Sequence, residues 1–453
     1  MRSLTRTFIR PCLRFSVLRP VQHHAAFHTT PPVWSLPPPK EPSSSSPAPS
    51  EPTPVPESPS LSDAKDYSIS KIVKKANKKF SKSAPKRWGV ELNPDRAIRL
   101  SNALQEANFP CPSEADLTAR GALLPPGYHM VYFEQPLSRQ SKMKDGTDVR
   151  HHPGYPFNRR MWMGGSVTFH DRTAREGQRL PLKFLSPEQR SSVSDENKSF
   201  TTKNSREEKK PSPKEKVPMV LGTELISGCE ARSSDKIVVN LARNYRAPVA
   251  FEGGTEPIYG PDSITEERKL VFLPVLPEKE RAASDAEDVD ENNKKEEIKK
   301  PRIIQVPKGW GPPEFAFPLI PTRRLLKEFS NLTYNDHLIH LDPQYAREVE
   351  GHERGVLVHG PLTMVLMLTA LDQHLQQTQP GGPLTSGEEV LPVKRGIAEF
   401  HYRNMAPLYA DEELRVCGSP HKNSQGAQWH VWIEGPEGGL AVKGDAVIYH
   451  MAL

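Results

Sequence analysis

Hydrophobic positions along this chain gather in short alternating runs that form two groups, with long charged tracts between them. In the carboxy-terminal group, "RGIAEFHYRN", "ELRVCG", "AQWHVWIEG" and "LAVKGDAVIYHMAL" place apolar side chains near every second position. Turn-forming pairs such as Gly438-Gly439 and Asn423-Ser424 divide them, which is the pattern of an antiparallel meander. Ahead of these runs, "HGPLTMVLMLTALDQHL" is apolar almost throughout and predicts a buried helix. The amino-terminal group is looser. "RWGVELNPDRAIRLSNALQEAN" reads as helical, while "YHMVYFEQP", "RRMWMGGSVTFH", "KVPMVLGTEL", "DKIVVNLARNYRA" and "RKLVFLPVLP" read as strands. Helix followed by antiparallel strands, in the same order twice, predicts an α+β fold with an internal repeat and not a series of βαβ units.

Composition removes part of the 453 residues from that fold. The 47 prolines and a mean hydropathy of -0.62 place many residues outside any core. Residues 31–80 begin with a Pro/Ser tract that has hardly an aliphatic residue, so the stretch is read as a linker that cannot offset its ordering entropy. Residues 187–216 and 277–302 are charged and poor in aliphatics, and are read as a solvated insertion and a second linker. The folded material then divides into residues 81–276 and 303–453. Residues 1–30 hold Arg2, Arg6, Arg10, Arg14 and Arg19 among Leu, Phe and Ile, with no acid before Glu41. That is the composition of a mitochondrial presequence, and it predicts residence in the matrix.

Charge and cysteine usage change the picture little. Lys and Arg total 61 against 55 Asp and Glu, a near balance that calls for no nucleic-acid partner. No window reaches the roughly 18 apolar residues of a membrane span. Cys12, Cys111, Cys229 and Cys417 are scattered, with no CxxC pair, and read as free thiols.

Candidate chemistry is concentrated in "FSNLTYNDHLIHLDPQYA", just before the apolar helix. His337 and His340 stand three apart with Asn335, Asp336 and Asp342 beside them. On a helix the two imidazoles would share a face and invite a metal. The segment reads instead as extended or loop, and no third ligand has a recognisable spacing.

Together, "TYNDHLIHLDPQYARE" and "GVLVHGPLTMVLM" resemble the active-site segment of MaoC-like hotdog hydratases, where a Gly-Asp-x-Asn-Pro-x-His loop precedes a helix opened by a His-Gly pair. "LLPPGYHMVYF", "KDGTDV" and "FNRRMWMGGSVTF" are similar to the degenerate first hotdog of two-hotdog members. Within the family, the pattern is closer to the fungal mitochondrial hydroxyacyl-thioester dehydratase type 2 and mesaconyl-CoA hydratase-like branches than to short bacterial (R)-hydratases. The resemblance implies a double hotdog, each antiparallel sheet wrapped around a long helix, with the chemistry in the second half and the first half walling the acyl tunnel.

It further implies a hydro-lyase that dehydrates (R)-3-hydroxyacyl thioesters, on acyl carrier protein or CoA, in type II fatty-acid synthesis. Mesaconyl-CoA-type hydration and a non-catalytic scaffold are the alternatives. Neither cofactor nor metal is implied, and a homodimer is an open expectation. His340 falls on the family's catalytic histidine and Gly360 on the glycine whose N–H binds the thioester oxygen. Asn335 occupies the position of the catalytic aspartate, a departure, since an amide cannot take up a proton near neutral pH. His337, His359, Asp342, Arg159, Arg160 and Trp162 are candidate substrate or carrier contacts.

Overall fold

The computed structural model describes residues 68–170, 182–185, 219–252, 256–275, 303–378 and 393–452. The presequence, the start of the first linker, the insertion at 187–216 and the linker at 277–302 lie outside these residues.

Ten strands form one continuous sheet. From the first half come β1 (Lys86–Val90), β2 (Arg159–Phe169), β3 (Val220–Ser233), β4 (Lys236–Arg246) and β7 (Ile264–Leu273). A small separate hairpin, β5 (Pro248–Glu252) with β6 (Glu256–Tyr259), projects between the last two. The second half supplies β8 (Phe315–Leu319), β9 (Val393–Asn404), β10 (Leu414–Pro420), β11 (Gln428–Glu434) and β12 (Leu440–Ala452). The order is β1-β3-β4-β7-β2-β9-β12-β11-β10-β8, all pairs antiparallel. Each half therefore has its first strand at the outer edge and its second at the junction, where β2 pairs with β9 from Gly164↔Arg403 to Thr168↔Glu399. The repeat is thus present in topology although the two sequences barely match.

The helices are α1 (Ile69–Phe80), α2 (Asp95–Glu106), α3 (Glu114–Thr118), α4 (Met130–Phe133), α5 (Arg323–Thr333) and α6 (Gly360–Gln377). Residues 360–372 of α6 are buried apart from Gly360 itself, as expected of a helix that is apolar all round. Its first-half counterpart, α4, is one turn long, so the core shared by both halves is built on α6.

Expectations are corrected at four points. "RWGV", read as the start of a helix, lies in β1, and α2 begins only at Asp95. The halves share one sheet where one sheet each was expected, and among the described residues only the second half has a long central helix, α4 being a single turn. Residues 69–80, inside the stretch read as linker, form α1. Its lysines mask an amphipathic pattern in which Ile69, Ile72, Val73, Ala76 and Phe80 meet a small cluster on β3, β4 and β7. Its Asn77 side chain pairs with both backbone groups of Cys229 (2.9 and 2.7 Å), covering the part of β3 that runs past β1. The last correction is "YHMVYF", read as a strand but folded as the turn of helix α4. Met130, Val131, Tyr132 and Phe133 are all buried, and a short run buried on every side has no period to distinguish the two states.

Candidate active site

The segment 329–346 begins inside α5, which ends at Tyr334 in the left-handed conformation (φ 50°). Arg96 holds that tyrosine by a hydrogen bond to its hydroxyl and by stacking 5.1 Å over its ring. The chain is thereby thrown out of the helix, and Asn335 follows at once. Its Oδ1 accepts the His337 N–H (3.2 Å), a short side-chain turn. One 3-10 turn at Leu338–His340 then brings the second histidine round.

A cavity of about 330 Å³ opens where this loop, the start of α6 and the β2–β9 junction meet. Asn335, His337, His340, Gly360, Arg160 and Trp162 line it together, with Met161, Met163, Ile339, Leu357, Met405 and Leu408 among its apolar walls. A bulge between Trp162 and Gly164 turns Met163 out of register beside it.

His340 is buried and its Nδ1 lies 2.9 Å from the Leu357 carbonyl. That contact assigns the proton to Nδ1 and leaves Nε2 as a lone pair for the cavity. Burial, reinforced by the Arg160 charge, pushes its pKa down to about 3, so the ring is a neutral base at physiological pH. His359 stacks on it at 3.8 Å and donates to or accepts from Ser330 Oγ (2.9 Å).

Gly360 is the first residue of α6 and Pro361 follows it. The first N–H groups of a helix have no intrahelical acceptor, and the helix dipole adds positive potential there. A side chain at Gly360 would stand 2.6 Å from Trp162 Cβ, so glycine is what lets β2 approach the helix start. Asn404 closes the same corner, its Nδ2 donating to the Trp162 carbonyl (2.9 Å) and its Oδ1 accepting from Thr363 (3.1 Å).

Three candidate contacts are spent elsewhere. Asp342 Oδ1 accepts the N–H groups of Gln344 and Tyr345 and does not line the cavity. Arg159 pairs with Glu350 (2.9 Å), while its neighbour Arg160, on the other face of β2, reaches the chamber. His359 is fully buried behind His340. As for a metal, the His337 and His340 rings stand at 88°. Among the described residues, a three-ligand group forms at His421, His430 and Asp445. There the imidazoles stack 3.6 Å apart, so an ion between them would lie out of both ring planes.

Sequence reasoning named Arg160 and Trp162 from the first half, which line the chamber, but missed the ionisable groups behind them. A second, smaller cavity of about 80 Å³ adjoins the chamber across Arg160, Trp162, Asn335 and Pro361. Its walls carry a buried ion network in which Glu224 and Glu134 hold Arg243, and Glu134 and Glu266 hold Arg268. Asp145, from the "KDGTDV" turn, lies with its Oδ2 3.6 Å from His337 Nε2.

Three buried histidines, His337, His340 and His359, and the half-buried His352 are held below the usual imidazole range, chiefly by desolvation (His340 at about 3, His352 at about 4). Their folded values lie under the unfolded one near 6.5. The stability they contribute is therefore complete above about pH 6.5 and is lost as pH falls toward 4 and 3. Urea midpoints should fall steadily from pH 7 to pH 5, and His359→Gln should flatten that decline; a midpoint independent of pH over this window would contradict the arrangement.

The continuous sheet, the buried central helix and the chamber at the junction define a double hotdog of the MaoC-like kind. The family model for "Hydroxyacyl-thioester dehydratase type 2" matches residues 127–210 and 226–410, and the chain belongs to that family, one of hydro-lyases acting on acyl thioesters. It is 32% identical over 124 residues to mesaconyl-C(4)-CoA hydratase of Chloroflexus aurantiacus, covering 27% of this chain and 36% of that protein. With the mitochondrial hydroxyacyl-thioester dehydratase type 2 of Schizosaccharomyces pombe it shares 21% identity over 323 residues, covering 70% of this chain and 83% of that one. The MaoC-like dehydratase of Phytophthora capsici superposes with a TM-score of 0.46 at 13% identity, covering 83% and 99% of the two chains.

Proposed function

We propose that the protein is an (R)-3-hydroxyacyl-thioester dehydratase of mitochondrial type II fatty-acid synthesis, working reversibly on trans-2-enoyl thioesters. The observation that carries this reading is the His340 ring, fixed at Nδ1 by the Leu357 carbonyl and open at Nε2 to an apolar chamber that ends at the start of α6. In the dehydration direction, Nε2 takes the C2 proton and returns it to the departing C3 hydroxyl, so one imidazole serves a syn elimination. The Gly360 N–H faces the thioester oxygen, where negative charge develops. Asn335 holds the hydroxyl in line. The imidazolium and the enolate form together, so each offsets the other's cost in a site that disfavours an isolated charge. The Arg-spaced leader and the mitochondrial relative support the compartment. Acyl carrier protein is the expected carrier, with CoA esters as accepted analogues. One chain pairs its two hotdog halves across β2 and β9, and both halves line the chamber.

Asn335→Ala should lower kcat for hydration of crotonyl-CoA by roughly 10²-fold with KM little changed, the usual loss for one positioned donor. Stopped assays at saturating substrate check this, and an unchanged kcat would remove Asn335 from the reacting centre. Mesaconyl-CoA is the competing substrate: a kcat/KM for it well above that for crotonyl-CoA and longer enoyl thioesters would replace the fatty-acid reading with the short dicarboxylic one.

A further inference from the structure

The family position that would carry an aspartate holds Asn335, yet a carboxylate is present, and it comes from the other half of the molecule. The turn Lys142–Asp148 is docked on the loop of the active site at three points. Leu338 N–H donates to the Asp145 carbonyl (2.9 Å), Lys142 pairs with Asp336, and Gly146 (φ 87°) lies so close to Asp336 that a Cβ there would stand 2.1 Å from its carbonyl oxygen. Glycine is therefore required at 146 twice over, for its backbone angle and for its lack of a side chain.

Within the turn the Asp145 side chain is itself fixed. Its Oδ1 accepts from the Thr147 N–H (2.9 Å) and the Thr147 hydroxyl (2.7 Å). Its Oδ2 points at His337 Nε2 across 3.6 Å, and both of these atoms are buried without any other partner. A shift of a few tenths of an ångström completes a hydrogen bond that satisfies two otherwise orphaned polar atoms.

The geometry points to Asp145 as the positioning carboxylate of this site, holding His337 as the Nε2–H tautomer so that Nδ1 accepts from the substrate's C3 hydroxyl. This rests on the dehydratase reading above. His337 lines the chamber beside Asn335 and His340. Arg160, His340, His359 and His352 are the other ionisable groups that bear on its charge. No bond is made or broken at Asp145. It orients an acceptor, and the hydroxyl is then held by His337 and Asn335 while His340 moves the proton. The first half thereby contributes part of the reacting centre in addition to a wall of the tunnel.

The test combines kinetics with the nitrogen shifts of the His337 ring in the full chain. In Asp145→Asn, the amide oxygen keeps the Thr147 bonds and the NH₂ faces Nε2, so the ring should turn to the Nδ1–H tautomer. The expected results are inversion of the tautomer, a fall in kcat of roughly 10²-fold with a near-constant KM, and partial recovery of kcat in Asp145→Glu. His337→Gln should lose as much, and the double variant Asp145→Asn/His337→Gln no more than either, because the two act as a unit. Full kcat in Asp145→Asn, losses that multiply in the double variant, or an Nδ1–H ring in the native protein would each overturn the assignment. Should the native protein hydrate no enoyl thioester while Asp145→Asn still inverts the tautomer, the pair stands and the dehydratase reading falls. An active native protein whose His337 ignores Asp145 would do the reverse: the dehydratase reading stands and the pair falls.

Discussion

His340→Gln is expected to abolish turnover, lowering kcat for enoyl-thioester hydration by at least about 10³-fold, toward the upper range of general acid–base contributions. Glutamine can still donate to the Leu357 carbonyl in place of Nδ1 and fills much of the same volume beneath His359. The loss should then be chemical and not structural, with KM changing little and the circular-dichroism melt close to native. The effect is large because one imidazole moves the proton in both halves of the reaction. Among the described residues, no other base lines the chamber with a lone pair fixed by a backbone contact. A variant that keeps more than a tenth of native kcat would show that another group carries the proton.

The second large effect is on stability. Arg268 is buried, and it satisfies Glu266 and Glu134 at once while lying 5.1 Å over the Trp162 ring. Arg268→Met leaves Glu266, held far below the usual carboxylate range in spite of its burial, without its main counter-charge. Breaking such a pair from one side costs about 3–5 kcal/mol. The urea midpoint should fall sharply, and part of the loss should return in Arg268→Met/Glu266→Gln, which removes the stranded charge. Equal midpoints for the native protein and Arg268→Met would mean that water reaches Glu266 in place of the guanidinium. This network fills the first half where α4 is too short to supply an apolar core like that around α6.

That difference explains which parts of the molecule were legible in the sequence. The strands of the second half announce themselves because one-sided burial imposes a period on them, and the helix from Gly360 because its apolar run, buried on all sides, is too long for a strand. His340, Asn335 and Gly360 lie in or beside one short stretch, so their convergence at the chamber could be expected from the resemblance. In α1 the signal was present but diluted, since Lys71, Lys74, Lys75, Lys78 and Lys79 occupy the solvent face of a helix whose other face holds Phe80. Asp145 could not be read at all as a partner of His337. Its contact is made by two loops far apart in sequence, and only the docking of Gly146 against Asp336 brings them together. Arg160 was legible only as one of a pair with Arg159; the pleat of β2 separates them, sending Arg160 to the chamber and Arg159 to Glu350.

On the proposed function the chamber adds water across an enoyl thioester and leaves the thioester bond intact. The direct measurement mixes the purified protein with crotonyl-CoA and follows the enoyl-thioester absorbance and free thiol together, with the stereochemistry of the product read afterwards. Loss of the enoyl band, no release of thiol, and (R)-3-hydroxybutyryl-CoA as the product are the predicted results. Thiol release in step with any loss of absorbance, or no change with crotonyl-CoA, longer enoyl thioesters and mesaconyl-CoA alike, would contradict the claim.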